Sequence, residues 1–329
     1  MAQPRRQTPF LVGLVLILAA LPVGWFVFLR QPPPPPPRPA PPPVAVPAPT
    51  EKKPLELEFT EVSGTVEVQH PDGTWRPATV GAALRRNEKV RTQDGSYAML
   101  IGGEAVEVRM DPGTEISVEA LTESVSRILL GKGMATAVVR PGQRHTFEVK
   151  AANADAVATL EQSGAFTMSN NGQGTVAVGT REGEVTLLGQ GKVVIVRAGQ
   201  QAVIRPGQAP SEPATVPSSL LLKVDWPVER TRRERELLVR GQTVPGSRVE
   251  VDGVTVAPDA QGHFERKVVL REGRNTVDVR AVGVGAVGGV DGGVKRIEQR
   301  DKQDVVVDTT PPPLKTDPDI WNQANNDSR

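Results

Sequence analysis

From about residue 55 onward the chain is built of short runs in which apolar and polar residues alternate. Turn signals interrupt these runs every 8–12 residues, and that periodicity is what most restricts the fold. Alternation at period two puts one face of an extended strand in a core and the other in water. Val62, Gly64, Val66 and Val68 share one parity, with Thr65, Glu67 and Gln69 on the other. His70-Pro71-Asp72-Gly73 then supplies a turn. Residues 97–101 and 105–110 read as a hairpin about Gly102-Gly103, with Val106, Val108 and Met110 on one face. Further turns are expected at Asp111-Pro112-Gly113, Asn171-Gly172, Glu182-Gly183, Gln190-Gly191 and Pro206-Gly207. Helical spacing longer than two turns is absent, apart from a weak stretch at residues 119–128. The expected class is mainly β, with antiparallel strands.

The cores must hold by apolar burial and strand pairing, because the 329 residues include no cysteine. That also excludes a disulfide framework, a thiolate metal site and a thiol nucleophile. A net charge of +1 gives no overall field for nucleic acid. No nucleic-acid partner is expected.

The N-terminal part is different in kind. Residues 10–29 (FLVGLVLILAALPVGWFVFL) carry no charge over 20 positions. As a helix they would span about 30 Å, the thickness of a hydrocarbon core. Arg5, Arg6 and Arg30 flank the run, and Trp25 falls where an interfacial aromatic belongs. A cleaved signal peptide is the rival reading, but the run exceeds the usual apolar length of such signals. The expectation is one transmembrane helix at 10–29 after a short cytoplasmic leader at 1–9. The flanking arginines nearly balance and do not by themselves set the orientation. Twelve of the 31 prolines fall between Gln31 and Pro49. In polyproline II this stretch extends about 60 Å, so residues 31–54 are expected to be a stiff stalk. Docking to proline-binding domains is the alternative.

The order of motifs in the next segment resembles a known family. Val62-Ser63-Gly64-Thr65-Val66, Gly81, Leu84, Glu88-Lys89-Val90-Arg91-Thr92 and Gly95-Ser96 resemble the opening of the FecR domain. Residues 106–116 look like its apolar strand and proline turn. Phe147-Glu148-Val149, Phe166, Arg181-Glu182-Gly183-Glu184-Val185 and Ala198-Gly199-Gln200-Gln201 are similar to its second half. The family's usual Gly-Thr before the phenylalanine is replaced here by Gly164-Ala165. The resemblance implies a regulatory, noncatalytic β domain over 55–210. FecR regulators of the iron-transport type also resemble anti-sigma factors with a sizeable cytoplasmic domain. Nine residues before the membrane run cannot build such a domain, so anti-sigma activity is not expected here.

A linker is expected at 211–219. Beyond it, residues 248–251 and 254–256 form a hairpin pattern around Asp252-Gly253. Gly241, Pro245-Gly246, Val249, Val251, Gly253, Gly262, Phe264, Leu270, Gly273 and Asn275 resemble bacterial immunoglobulin-like modules of the kind attached to glucodextranases. The resemblance implies an Ig-like β-sandwich over 220–310, with a disordered polar tail at 311–329. Six glycines lie between Gly283 and Gly293, where a flexible loop is expected.

The residues point to no catalytic centre, cofactor or metal site. His70, His145 and His263 are far apart in sequence, lack metal-ligand spacing and are expected at the surface. Arg230, Arg232, Arg233 and Arg235 alternate with Glu229, Glu234 and Glu236, which suits a solvated, ion-paired segment. An anionic-polymer site is the rival. Outside the apolar run only eight aromatics remain, mostly at core-like positions, which disfavours a stacking platform for sugars or single strands. The expectation is a noncatalytic, single-pass inner-membrane protein with its body in the periplasm. It would act in envelope signalling or protein–protein interaction, binding a protein partner through strand edges or loops. The alternative is a structural or adhesive envelope protein binding peptidoglycan or polysaccharide.

Overall fold

The computed structural model describes residues 14–18, 22, 25–26, 56–142, 144–288 and 294–311. Residues 1–52 and 53–329 form two units. In the first, residues 14–18 are helical and their side chains are exposed. Among the described residues no helix is long and apolar enough to cross a membrane. The span expected at 10–29 lies mostly outside the described residues. The leader at 1–9, the proline-rich segment up to residue 55 and the tail from 312 lie wholly outside them.

The second unit is made of strands. They begin with β1 (Leu57–Ser63), β2 (Val66–Gln69), β3 (Trp75–Pro77), β4 (Ala83–Leu84), β5 (Lys89–Thr92) and β6 (Tyr97–Gly102). Next come β7 (Val106–Met110), β8 (Glu115–Leu121), β9 (Val125–Val139), β10 (Thr146–Ala151), β11 (Ala156–Leu160) and β12 (Gly164–Asn170). The first body closes with β13 (Val176–Glu182), β14 (Glu184–Gly189), β15 (Lys192–Arg197), β16 (Gln200–Ile204) and β17 (Ala214–Thr215).

Pairing sorts these strands into two sheets that share β9. One runs β4-β1-β6-β7-β9-β12-β13-β16-β17. The other runs β3-β2-β5-β8-β9-β10-β11-β14-β15. All neighbours are antiparallel except β9 and β10. The inward positions of both sheets form one apolar core, with Phe59, Phe147 and Phe166 among its largest members. β9 crosses from sheet to sheet at Gly133, whose φ is +93°. A Cβ there would lie 2.5 Å from the Thr114 Cα, so only glycine permits this corner.

The remaining strands are β18 (Leu222–Val224), β19 (Thr231–Arg232), β20 (Glu236–Thr243), β21 (Arg248–Val251), β22 (Val254–Val256), β23 (His263–Val269), β24 (Gly273–Gly288) and β25 (Val294–Val307). They form a three-stranded sheet, β18-β20-β23, and a five-stranded sheet, β19-β25-β24-β21-β22. Between these two lies a second core that includes Leu237, Val239, Phe264, Val277, Val279 and Val305. The hairpin expected at Asp252-Gly253 is present, with φ of 49° and 74° at its two turn residues.

Several local expectations differ from the structure. The run from Val62 to Val68 is two strands, because Gly64 (φ 75°) turns the chain from one sheet to the other. Residues 119–128, with their weak helical spacing, belong to β8 and β9. A bulge between Val118 and Ala120 breaks the period-two pattern there. The expected linker at 211–219 carries β17, which pairs with β16, and Val216 is buried in the second core. Gly283 and Gly285, expected in a loop, lie inside β24.

A third apolar cluster joins the two bodies: Met134 and Ala177 from the first, Val282 and Val284 from the second. This seam explains why β12 is buried at every position. Its inward face meets the first core, and its outward face meets β24. Thr167, Ser169, Ala177 and Gly179 keep that outward surface small enough for close approach.

Candidate interaction surfaces

Two features of the second unit can receive another molecule: an open strand edge and a cleft along the seam. The edge belongs to β15, which among the described residues pairs only with β14, through a hairpin turn at Gln190 (φ 47°) and Gly191 (φ 71°). Two consecutive left-handed residues make a type I′ turn, which closes on a hydrogen-bonded pair, here Gly189 and Lys192. The pairs then alternate. Ala198 continues the bonded parity, donating its N–H to the Gly183 oxygen at 3.0 Å. Lys192, Val194 and Val196 therefore bond to β14, while Val193, Ile195 and Arg197 turn their backbone groups to the open edge. The Arg197 amide fits this parity, since it bonds to Gln200 Oε1 at 3.0 Å rather than to β14.

The outward side chains at this edge are apolar. Val193 is 55 % exposed, Ile195 43 % and Leu188 of β14 39 %. Leu188 stands opposite Val193 on one side and Val157 of β11 on the other, which extends the strip across three strands. Lys192 and Arg197 bracket the strand and are held by Glu212 (2.6 Å) and Glu184 (3.1 Å). The other edges of the first body are two or three residues long. β23 is a longer edge, but its outward face carries Glu265 and Lys267, paired to Arg240 and Glu236. Charge on an edge strand discourages pairing with another chain, and β15 lacks it along its middle.

Along the seam, backbone and side chains of the two bodies interlock. Ser169 Oγ donates to the Gly246 oxygen at 2.5 Å, and Asn171 Nδ2 to the Pro258 oxygen at 3.0 Å. The Thr255 amide donates to Asp94 Oδ1 at 2.8 Å. Asp111, 2 % exposed, bonds to Arg296, which also donates to Thr136 Oγ1 at 2.5 Å. Arg280 bonds to Glu298, and Arg248 lies 3.0 Å from Glu250. Burial pulls the Arg280 guanidinium down, but the Glu298 hydrogen bond and charge outweigh it and leave it above its ordinary value. The same bond holds Glu298 below the usual carboxylate range. Burial is the leading influence on Arg248 and pushes it down. Beside these charges lies a cleft of about 360 Å³, lined by residues of both bodies and by no aromatic side chain.

The three histidines stay apart. His70 Nδ1 lies 3.2 Å from Glu88, and His263 Nδ1 lies 3.4 Å from Asp259. His145, expected at the surface, is 2 % exposed; its Nδ1 lies 3.0 Å from the Glu123 oxygen and its Nε2 2.9 Å from Ser126 Oγ. A carbonyl only accepts, so Nδ1 carries the proton. Ser126 is itself fully buried, and the pair braces the loop before β10. Among the described residues no group of three side chains could hold a metal ion. In the arginine-rich run, Arg232 pairs with Glu234 (2.8 Å) and Arg235 with Glu272 (3.3 Å). Neither surface was named from the sequence. The apolar parity of Val193 and Ile195 was the available signal for the edge, while the cleft joins residues up to 167 positions apart and left none.

No family model matches the sequence, and no curated protein matches it. Among solved structures, the chain is similar to a protein of Parabacteroides distasonis ATCC 8503 described as a "putative anti-sigma factor". Identity is 14 %, the TM-score is 0.33 and coverage is 39 % of this chain; a second crystal structure of that description gives 15 % and 0.33. The chain spans 59 % of that protein's length. It is also similar to the fibronectin(III)-like modules of Clostridium thermocellum CbhA, with 14 % identity, a TM-score of 0.20, and coverage of 58 % of this chain and 93 % of that one.

Proposed function

We propose that this chain is a noncatalytic, FecR-type envelope protein. It is anchored in the inner membrane through residues 10–29, carries its body in the periplasm, and acts in signalling by recruiting a protein partner. The observation that carries the reading is the open edge of β15 with its outward strip of Leu188, Val193 and Ile195. An extended segment of a partner can add there as a further strand. Backbone hydrogen bonds would give affinity, and the apolar strip would select the side chains that lie over it. The anchor and periplasmic placement rest on the uncharged 20-residue run and the proline-rich segment after it. The FecR and Ig-like resemblances support the regulatory reading.

The test is a pull-down from envelope extract with the full chain as bait, comparing wild type with Ile195→Pro. Ile195 turns its amide away from β14, so proline there removes an edge donor and leaves the β14 ladder intact. A protein retained by the wild type and lost from the variant supports the reading. Equal retention by both, or enrichment of glycan with no protein, overturns it.

A further inference from the structure

The seam cleft holds two buried polar groups that lack partners. Arg248 is 7 % exposed, and among the described residues its Nε and Nη1 have no hydrogen-bond partner. Its Nη2 already meets Glu250, so those two nitrogens are the donors that remain. Thr255 Oγ1 is buried and equally unpartnered. Both residues line the same cleft, Arg248 from β21 and Thr255 from the neighbouring strand β22. Buried donors without acceptors are rare in folded proteins, and each lost bond costs more when the donor is charged. Two neighbouring polar side chains of the wall have partners. Thr92 Oγ1 donates to the Asp111 oxygen at 2.6 Å, and Asn170 Nδ2 donates to the Leu130 oxygen at 2.9 Å.

In the seam, Arg109, Arg248, Arg280 and Arg296 meet Asp111, Glu250 and Glu298. In the cleft itself, Asp94 and Glu115 stand against Arg91, Lys132 and Arg248. Arg91 is held by Glu67 outside the cleft, and Asp94 receives the Thr255 amide. Lys132 is exposed at the wall and makes no ion pair among the described residues. What Arg248 and Thr255 lack is an acceptor. An oxyanion supplies one, and a guanidinium is the side chain best shaped to hold it.

We propose that the cleft is a binding site for the oxyanion group of a small ligand, a carboxylate or a phosphate, with Arg248 as its buried counter-charge and Lys132 at its wall. The cleft has no aromatic face on which a neutral sugar could stack, so recognition is by charge. The bound group would touch both bodies and tie them across the seam. This site is separate from the β15 edge and does not depend on it.

Titration calorimetry of the full chain in detergent tests the site, using inorganic phosphate, glucuronate and glucose as probes. The expected result is saturable binding of at least one anion and none of glucose; which anion binds identifies the source of the oxyanion. Arg248→Gln should weaken binding about tenfold or more, and the exposed Lys132→Gln about threefold. Should Arg248→Gln fail to fold, Lys132→Gln decides, since an exposed lysine can be replaced without loss of the fold. The proposal is overturned if neither anion binds, if glucose binds as well as the anions, or if a folded Arg248→Gln or Lys132→Gln binds like the wild type.

Discussion

The seam makes a prediction whose sign is informative. Gly179 sits within β13, between Thr167 and Gln201, and its φ is outside the left-handed region. Considered alone, replacing a glycine in a strand with alanine should stabilise by about 0.5–1 kcal/mol, because the unfolded chain loses freedom. The seam reverses this. An added Cβ would lie 2.6 Å from the Val284 oxygen, 2.8 Å from its carbonyl carbon and 3.0 Å from the Gly285 nitrogen. Ordinary contact begins at 3.4 Å, so β24 must retreat by about 0.8 Å. The obstructing atoms are backbone in a long hairpin and have no flexible end to move aside. Overpacking of this kind costs about 1–3 kcal/mol, and the retreat also loosens the Met134–Ala177–Val282–Val284 cluster. The net expectation for Gly179→Ala is destabilisation by about 1–2 kcal/mol. At a urea slope of about 3 kcal/mol/M the midpoint falls by roughly 0.3–0.7 M. An alanine variant as stable as wild type, or more stable, would show that β24 does not pack on β13 and would refute the seam.

Other consequences follow from single contacts. Asp111→Ala strips the partner from Arg296 in a buried setting. Breaking such a pair costs about 3–5 kcal/mol when both charges are enclosed, but Arg296 is about a quarter exposed and can rehydrate, so a loss of about 2 kcal/mol is expected in thermal unfolding. His145→Ala should cost about 2–4 kcal/mol in the same assay, since it leaves a cavity and takes away the partner of the buried Ser126 hydroxyl. Glu272 accepts the Thr309 amide and hydroxyl at 2.9 and 2.8 Å, and these bonds hold its carboxyl below the ordinary 4.5. A depressed carboxylate stabilises fully above its unfolded value and loses that contribution as the pH falls through its folded value. The protection of the Thr309 amide, its rate compared with an unfolded amide at the same pH, should therefore be lower in acid, below the folded value of Glu272, than at pH 6, and Glu272→Gln should abolish most of that difference.

The strands were legible where each had one wet face. Val106, Val108 and Met110 alternate in sequence and all three are buried. The turns were legible where left-handed residues gave them away, as at Asp252-Gly253 and Gln190-Gly191. Legibility failed where a second surface interfered. The bulge at Val118–Ala120 in β8, together with the turn into β9, spaces Val118, Leu121, Val125 and Ile128 three or four apart, which imitates a helix. In β24 the glycines read as a loop, yet they thin a strand so that side chains can seat on it, Val216 lying against Gly285. His145 looked like a surface histidine because its partners, Glu123 and Ser126, lie at the other end of β9 in the chain. The cleft was invisible because Asp94, Asn171 and Arg248 meet only when both bodies are in place.

The central claim is that β15 offers an unpaired backbone to a partner. Residue-resolved amide hydrogen exchange on the full chain tests it most directly. In the free protein the Val193 and Ile195 amides should exchange quickly, while those of Val194 and Val196 are protected by β14. Addition of envelope extract should slow Val193 and Ile195 to the level of their neighbours, with little change at the charged edge of β23. Equal protection of all four amides in the free chain, or no slowing at Val193 and Ile195 when extract is added, would contradict the account.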